Sequence, residues 1–74
     1  MQYAKLRGKI REVYGTNYIF AKEIGMHPSV LSSKLNGKYD WTRREIVNIC
    51  SALDIPIEKA HAYFFSYKVG ISKH

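Results

Sequence analysis

Apolar residues recur at helical spacing along almost the whole chain, and glycine, proline or Asn-Gly interrupts them before any helix grows long. That pattern predicts an all-α fold of five helices with no strand alternation, internal repeat or low-complexity segment. The first helix is expected over residues 3–14, with Leu6, Ile10 and Val13 as its buried stripe at i, i+4 and i+7. Lys5, Arg7, Lys9 and Arg11 cover its other faces, and Gly15 ends it. Thr16 is a good N-cap for a second helix over 17–24, which Phe20 and Ile24 turn inward and Gly25 breaks. Pro28 opens a third helix, over 28–36, because a missing N–H is harmless at the first helical position. Asn36-Gly37 signals a turn. Thr42-Arg-Arg-Glu45 fits a capping box, and Ile46, Ile49, Cys50 and Leu53 form the stripe behind it until Asp54-Ile-Pro56 stops the helix. A fifth helix is expected over 57–67, and the tail 69–74 is expected to fray.

A chain of 74 residues implies one domain, here residues 1–68. A core this small supplies only about 3–5 kcal/mol, so such chains often use a staple, a metal or a partner subunit. The lone Cys50 cannot close an internal disulfide. His27, His61 and His74 stand far apart and make no metal-ligand pair with Cys50, so neither a metal nor another cofactor is expected. Good packing or self-association is left. Residues 1–11 carry four cations and no apolar run, so no signal peptide is expected there, and no stretch reads as a membrane span. The lone thiol then favours a cytoplasmic location.

The formal net charge is +6, and all of that excess lies in residues 1–44, which hold nine Lys/Arg and three Asp/Glu. Residues 45–74 hold three of each. A one-sided basic field attracts a polyanion such as nucleic acid or an anionic membrane. The plain alternative is a solvated basic surface.

Two short helices joined at a glycine, the second with one apolar and one small-polar face, describe a helix-turn-helix. Close crossing requires a small residue on the first helix, and Ala21 stands there; the sharp link four residues later falls on Gly25. At about 100° per residue, Leu31 and Leu35 share one side of the second helix, and Ser29, Ser32, Ser33 and Asn36 share the opposite side. Short hydrogen-bonding groups on such a face can enter a major groove.

On these residues, 16–37 resemble the helix-turn-helix of the lambda repressor and Cro superfamily, the XRE-like regulators. The A-x-x-x-G core, Met26 after the glycine and Leu31 six residues after it carry the likeness. The segments Lys5-Leu-Arg-Gly-Lys-Ile10, Leu31-Ser-Ser-Lys-Leu-Asn-Gly37 and Leu53-Asp-Ile-Pro56, with Tyr63-Phe-Phe65, resemble a small phage-associated family of uncharacterised XRE-like proteins. The resemblance implies a five-helix lambda-repressor-like domain that binds a double-stranded DNA operator as a transcriptional regulator of phage or prophage origin. It implies repression, and the residues alone do not separate repression from activation. It puts His27, Pro28, Ser29, Ser32, Ser33 and Asn36 on bases. It puts Asn17 on a phosphate, adds Tyr18 beside it, and gives further backbone contacts to Lys38, Trp41, Thr42, Arg43 and Arg44. Two positions depart from the pattern. Pro28 stands where many relatives carry Gln, Ser or Arg. Lys34 stands where relatives bury an apolar residue; Leu35 is expected to take over that packing, leaving Lys34 at the edge and free to reach phosphate. The reading face holds no Arg or Gln, the usual bidentate partners of guanine and adenine, so backbone contacts and DNA shape are expected to carry much of the selectivity.

Other readings run alongside. The serines could be merely solvated. Trp41 could anchor the loop on the core instead of meeting phosphate. Arg43-Arg44 in a first turn oppose the helix dipole, which favours an external anion. Cys50 reads as a small buried hydrophobe, His61 as structural, and Tyr3, Tyr14 and Phe20 as core or near it. No nucleophile elbow, phosphate loop or paired acids appear, so neither an enzyme nor a small-molecule substrate is expected. Tyr63, Phe64, Phe65 and Tyr67 put four aromatics within five residues, more than one helix can turn into one small core. They are expected to form a homodimer interface. The rival is a protein-binding module, such as an antirepressor or antitoxin subunit, that uses this aromatic C-terminal helix.

Overall fold

In the computed structural model, which describes residues 2–65, the chain forms α1 (Ala4–Tyr14), α2 (Asn17–Glu23), α3 (Pro28–Leu35), α4 (Arg43–Ala52) and, after a 3-10 turn at Ile57–Lys59, α5 (Ala60–Phe64). No strand occurs among the described residues. The domain is all-α. None of these helices is long and apolar enough to cross a membrane.

The local signals act where they stand. The Thr16 hydroxyl accepts the Ile19 N–H at 3.1 Å and starts α2. Thr42 and Glu45 close the capping box in both directions: the Glu45 N–H donates to Thr42 Oγ1 at 3.1 Å, and the Thr42 N–H donates to Glu45 Oε1 at 2.9 Å. Each cap satisfies amides that a helix start leaves without partners.

One core joins the five helices. Leu6 and Ile10 from α1, Phe20 and Ala21 from α2, Leu31 and Leu35 from α3, Ile49 and Cys50 from α4, then Leu53, Ile55 and Phe64, are all buried. Tyr3 closes the core at the start of α1. Burial pushes the Cys50 thiol up, so it stays protonated and packs as an apolar group.

Val13 is 47% exposed and lies outside the buried stripe that its i+7 spacing from Leu6 predicts. The stripe runs instead through Leu6, Ile10 and Tyr14. Tyr14 packs its ring on Phe20 at 5.1 Å and donates its hydroxyl to the Ala52 carbonyl at 3.1 Å. A stripe centred on Ile10, between Leu6 and Tyr14, leaves Val13 on its rim. The fifth helix begins as a 3-10 turn, with Ile57 exposed, rather than as a continuous α-helix from residue 57. The expected extension to Tyr67 and the fraying tail 69–74 lie outside the described residues.

Candidate nucleic-acid interface

The two central helices meet as their small and apolar residues require. Ala21 is completely buried at the crossing of α2 and α3. Gly25 takes φ 74°, a left-handed conformation open to glycine and strained for other residues. The Met26 N–H then returns to the Ala21 carbonyl at 2.9 Å and tightens the link. Leu31 and Leu35 face the core, Ser29, Ser32 and Asn36 are exposed, and Ser33 is half-buried.

His27 is the N-cap of α3. Its Nδ1 accepts the Ser29 N–H at 3.1 Å and lies 2.9 Å from Ser29 Oγ. An amide N–H can only donate, so Nδ1 carries no proton in this arrangement. A neutral ring therefore carries its proton on Nε2 and presents a donor away from the helix start. Pro28 follows at the first helical position.

Arg7 holds the other end of α3. Its Nη2 donates to the Leu35 carbonyl at 2.7 Å and to Asn36 Oδ1 at 2.9 Å, and its Nε donates to the Gln2 carbonyl at 2.9 Å. The sequence reading put Arg7 among the cations covering the outer faces of α1. It instead caps the carbonyl end of α3, where positive charge also suits the helix dipole. The bond to Oδ1 turns the Asn36 amide so that its N–H groups are the part left for an external partner.

Lys34 departs from expectation. It is not free at the edge: it is 8% exposed, and its Nζ donates to the Asp40 carbonyl at 2.8 Å and pairs with Glu45 Oε1 at 3.1 Å. The ammonium also lies 5.9 Å from the Trp41 ring. Leu35 is buried as expected, yet Lys34 is buried with it, because its long stem runs under the loop to an acceptor and a carboxylate. Burial works to raise the Glu45 carboxyl, but the Thr42 amide bond and Lys34 outweigh it and hold it below its usual value. A lowered carboxyl adds stability at neutral pH that is lost as pH falls through its folded value. We therefore expect Lys34→Ala to destabilise the fold by about 1–3 kcal/mol, since it strands Glu45 and the Asp40 carbonyl. The stability gap between wild type and Glu45→Gln should also narrow as pH falls below the ordinary carboxylate range, because the folded-state value is lowered. Urea melts of the three proteins at pH 7 and pH 3.5 check both; a gap that widens on acidification would count against this linkage.

Trp41 is a loop anchor. Its ring meets Tyr3 edge-on at 5.8 Å and Phe64 at 5.3 Å. Its Nε1 is buried, with no hydrogen-bond partner among the described residues, and so cannot reach a phosphate. The Thr42 hydroxyl is engaged by its cap. Lys38, Arg43 and Arg44 are exposed and unpaired among the described residues, as is Asn17 at the start of α2. Tyr18 is 58% exposed, with the Lys22 ammonium 5.6 Å from its ring. No three His, Cys, Asp or Glu come together as a metal site among the described residues.

The family model described as Protein of unknown function (DUF739) matches residues 1–67. The chain belongs to that family. No curated protein matches it.

The aromatic C-terminal segment of this DUF739 chain divides in a way the sequence did not foretell. Phe64 is 1% exposed and sits in the core, so it cannot belong to a surface between two copies. Tyr63 is half-buried under the Lys5 ammonium, 5.2 Å from its ring. Phe65 is exposed and stacks on His61 at 5.4 Å. Tyr67 lies outside the described residues. The reading also missed the anchoring roles of Arg7 and His27. Position directly before a helix-opening proline could have flagged His27 as a cap. No local signal could have flagged Arg7, whose partners lie 28 and 29 residues away.

Proposed function

We propose that this protein is a sequence-specific, double-stranded DNA-binding transcriptional regulator of the lambda repressor and Cro-like kind, with α3 in the major groove. The observation that carries the reading is the division of α3. Leu31 and Leu35 are buried, whereas Ser29, Ser32 and Asn36 stand exposed, and the loop and helix start that follow α3 carry the exposed, among the described residues unpaired, Lys38, Arg43 and Arg44. Short hydroxyls and an amide match base edges, and the flanking cations match phosphates. On this reading His27, Ser29, Ser32, Ser33 and Asn36 face bases. Asn17, Tyr18, Lys38, Arg43 and Arg44 face the backbone. Lys34 and Trp41 support the loop between them without touching DNA. To read a two-fold operator, a homodimer must hold two copies of α3 about 34 Å apart, one DNA turn, and Phe65 is the exposed aromatic available to such a contact.

Selection of bound sites from a random duplex pool tests the reading, with a two-fold symmetric motif expected. A pool that shows no enrichment would overturn it. Ser33→Ala or Asn36→Ala is expected to change preference at particular base pairs by about 1–3 kcal/mol. Arg43→Ala is expected to weaken all sequences alike. Base-pair-resolved binding of the variants checks this division, which fails if Arg43→Ala alters the motif and the α3 variants do not.

A further inference from the structure

Gly8 lies inside α1, where glycine is among the poorest helix formers. Nothing in the described chain requires it. Its backbone is not in the left-handed region, and a Cβ built there meets no atom within 4 Å. Gly8 does line a groove of about 280 Å³, together with Ala4, Arg7, Arg11 and Asn17. Ala4, Gly8 and Arg11 follow each other at i, i+4 and i+7, so one side of α1 has two small residues followed by a guanidinium. Arg11 is exposed and unpaired among the described residues. Arg7 uses Nε and Nη2 within the fold, which leaves Nη1 unbonded. The lining contains no acidic side chain. Two guanidiniums and one carboxamide around a small apolar floor suit a compact oxyanion.

We propose that this groove seats a backbone phosphate of the bound duplex, and that Gly8 leaves the floor open for it. The inference rests on the DNA-binding reading and extends the contact surface from α2 onto α1. Two features join the groove to that surface. Asn17 lines the groove and opens α2. Arg7 borders it while holding the Leu35 carbonyl and Asn36 at the end of α3. A phosphate drawn against α1 would therefore bear on the residue that sets how α3 ends.

The test separates stability from binding. Gly8→Ala and Gly8→Met are both expected to raise Tm by a few degrees, because each is a better helix former with room for its Cβ. Gly8→Met also fills the groove. It is expected to weaken duplex binding about tenfold and to make the slope of log K against log salt shallower by about 0.9, one phosphate contact. Arg11→Gln should weaken binding similarly in wild type and add almost nothing in Gly8→Met. A duplex series with one neutral methylphosphonate at each position should show one position that matters to wild type and not to Gly8→Met. Inorganic phosphate at millimolar concentration should compete weakly with the duplex in wild type. Competition without a methylphosphonate-sensitive position would mean a free-phosphate site and overturn the backbone assignment. If wild type binds duplex and Gly8→Met binds equally well with the same slope, the groove is not a contact, and the DNA reading stands without it. If wild type binds no duplex at low salt, both fall together.

Discussion

Phe64→Ala is expected to leave the protein largely unfolded at 25 °C at every concentration, whereas Phe65→Lys leaves it folded. Phe64 is 1% exposed, and its ring lies 5.3 Å from Trp41. Truncating a core phenylalanine removes about 3–5 kcal/mol through lost transfer energy and the cavity left behind. A domain of this size has about that much in total. Phe65 is 50% exposed and touches His61 at the surface, so its replacement is expected to change stability by about 0.5 kcal/mol or less. The pair also separates core from interface. In the proposed homodimer Phe65→Lys lowers self-association with the fold intact, measured by sedimentation equilibrium. Phe64→Ala removes the circular dichroism signal of the monomer itself. A Phe64→Ala protein that stays folded and only dissociates would put Phe64 at the interface after all.

Duplex affinity is expected to fall about a hundredfold between 50 and 200 mM salt. Arg11, Lys38, Arg43 and Arg44 are exposed cations without partners among the described residues. If each neutralises one phosphate, counterion release gives a slope of log K against log salt of about −3.6. Replacing both Arg43 and Arg44 by alanine should flatten that slope by about 1.8. Lys34→Ala serves as the contrast. Lys34 already pairs with Glu45 at 3.1 Å, so its loss should lower stability and leave the slope of the folded protein unchanged. Fluorescence anisotropy on a labelled duplex reads both quantities. Affinity that is flat across this salt range would end the proposal that these cations meet phosphates.

The legible part of this protein is what residues within about four positions decide. Thr16, Thr42 and Glu45 cap helices with partners three residues away. Gly25 turns the chain because its own backbone permits it, and Leu31 and Leu35 share a face because the helix repeat puts them there. The all-α class and the starts of α2, α3 and α4 follow from such neighbours. Exposure at the candidate site was legible to the same depth: Ser29, Ser32 and the Arg43-Arg44 pair are exposed where spacing puts them.

The remainder depended on distant partners. Whether Lys34 reaches outward or inward turns on the Asp40 carbonyl in the loop and on Glu45, which α4 brings beneath it. Arg7 serves α3 only because α1 passes the end of that helix. The rotation of α5 chooses Phe64 for the core and Phe65 for solvent, and Trp41 and Tyr3 at the start of α1 help set that rotation. Three consecutive aromatics carry no period of their own to set it. By itself the sequence determined the first four helices, the turn at Gly25 and the polar face of α3, since hydrogen bonds and backbone sterics act over a few residues. Tertiary packing decided which cations stay free and which aromatic is buried, because a long side chain goes to whichever partner the fold brings within reach.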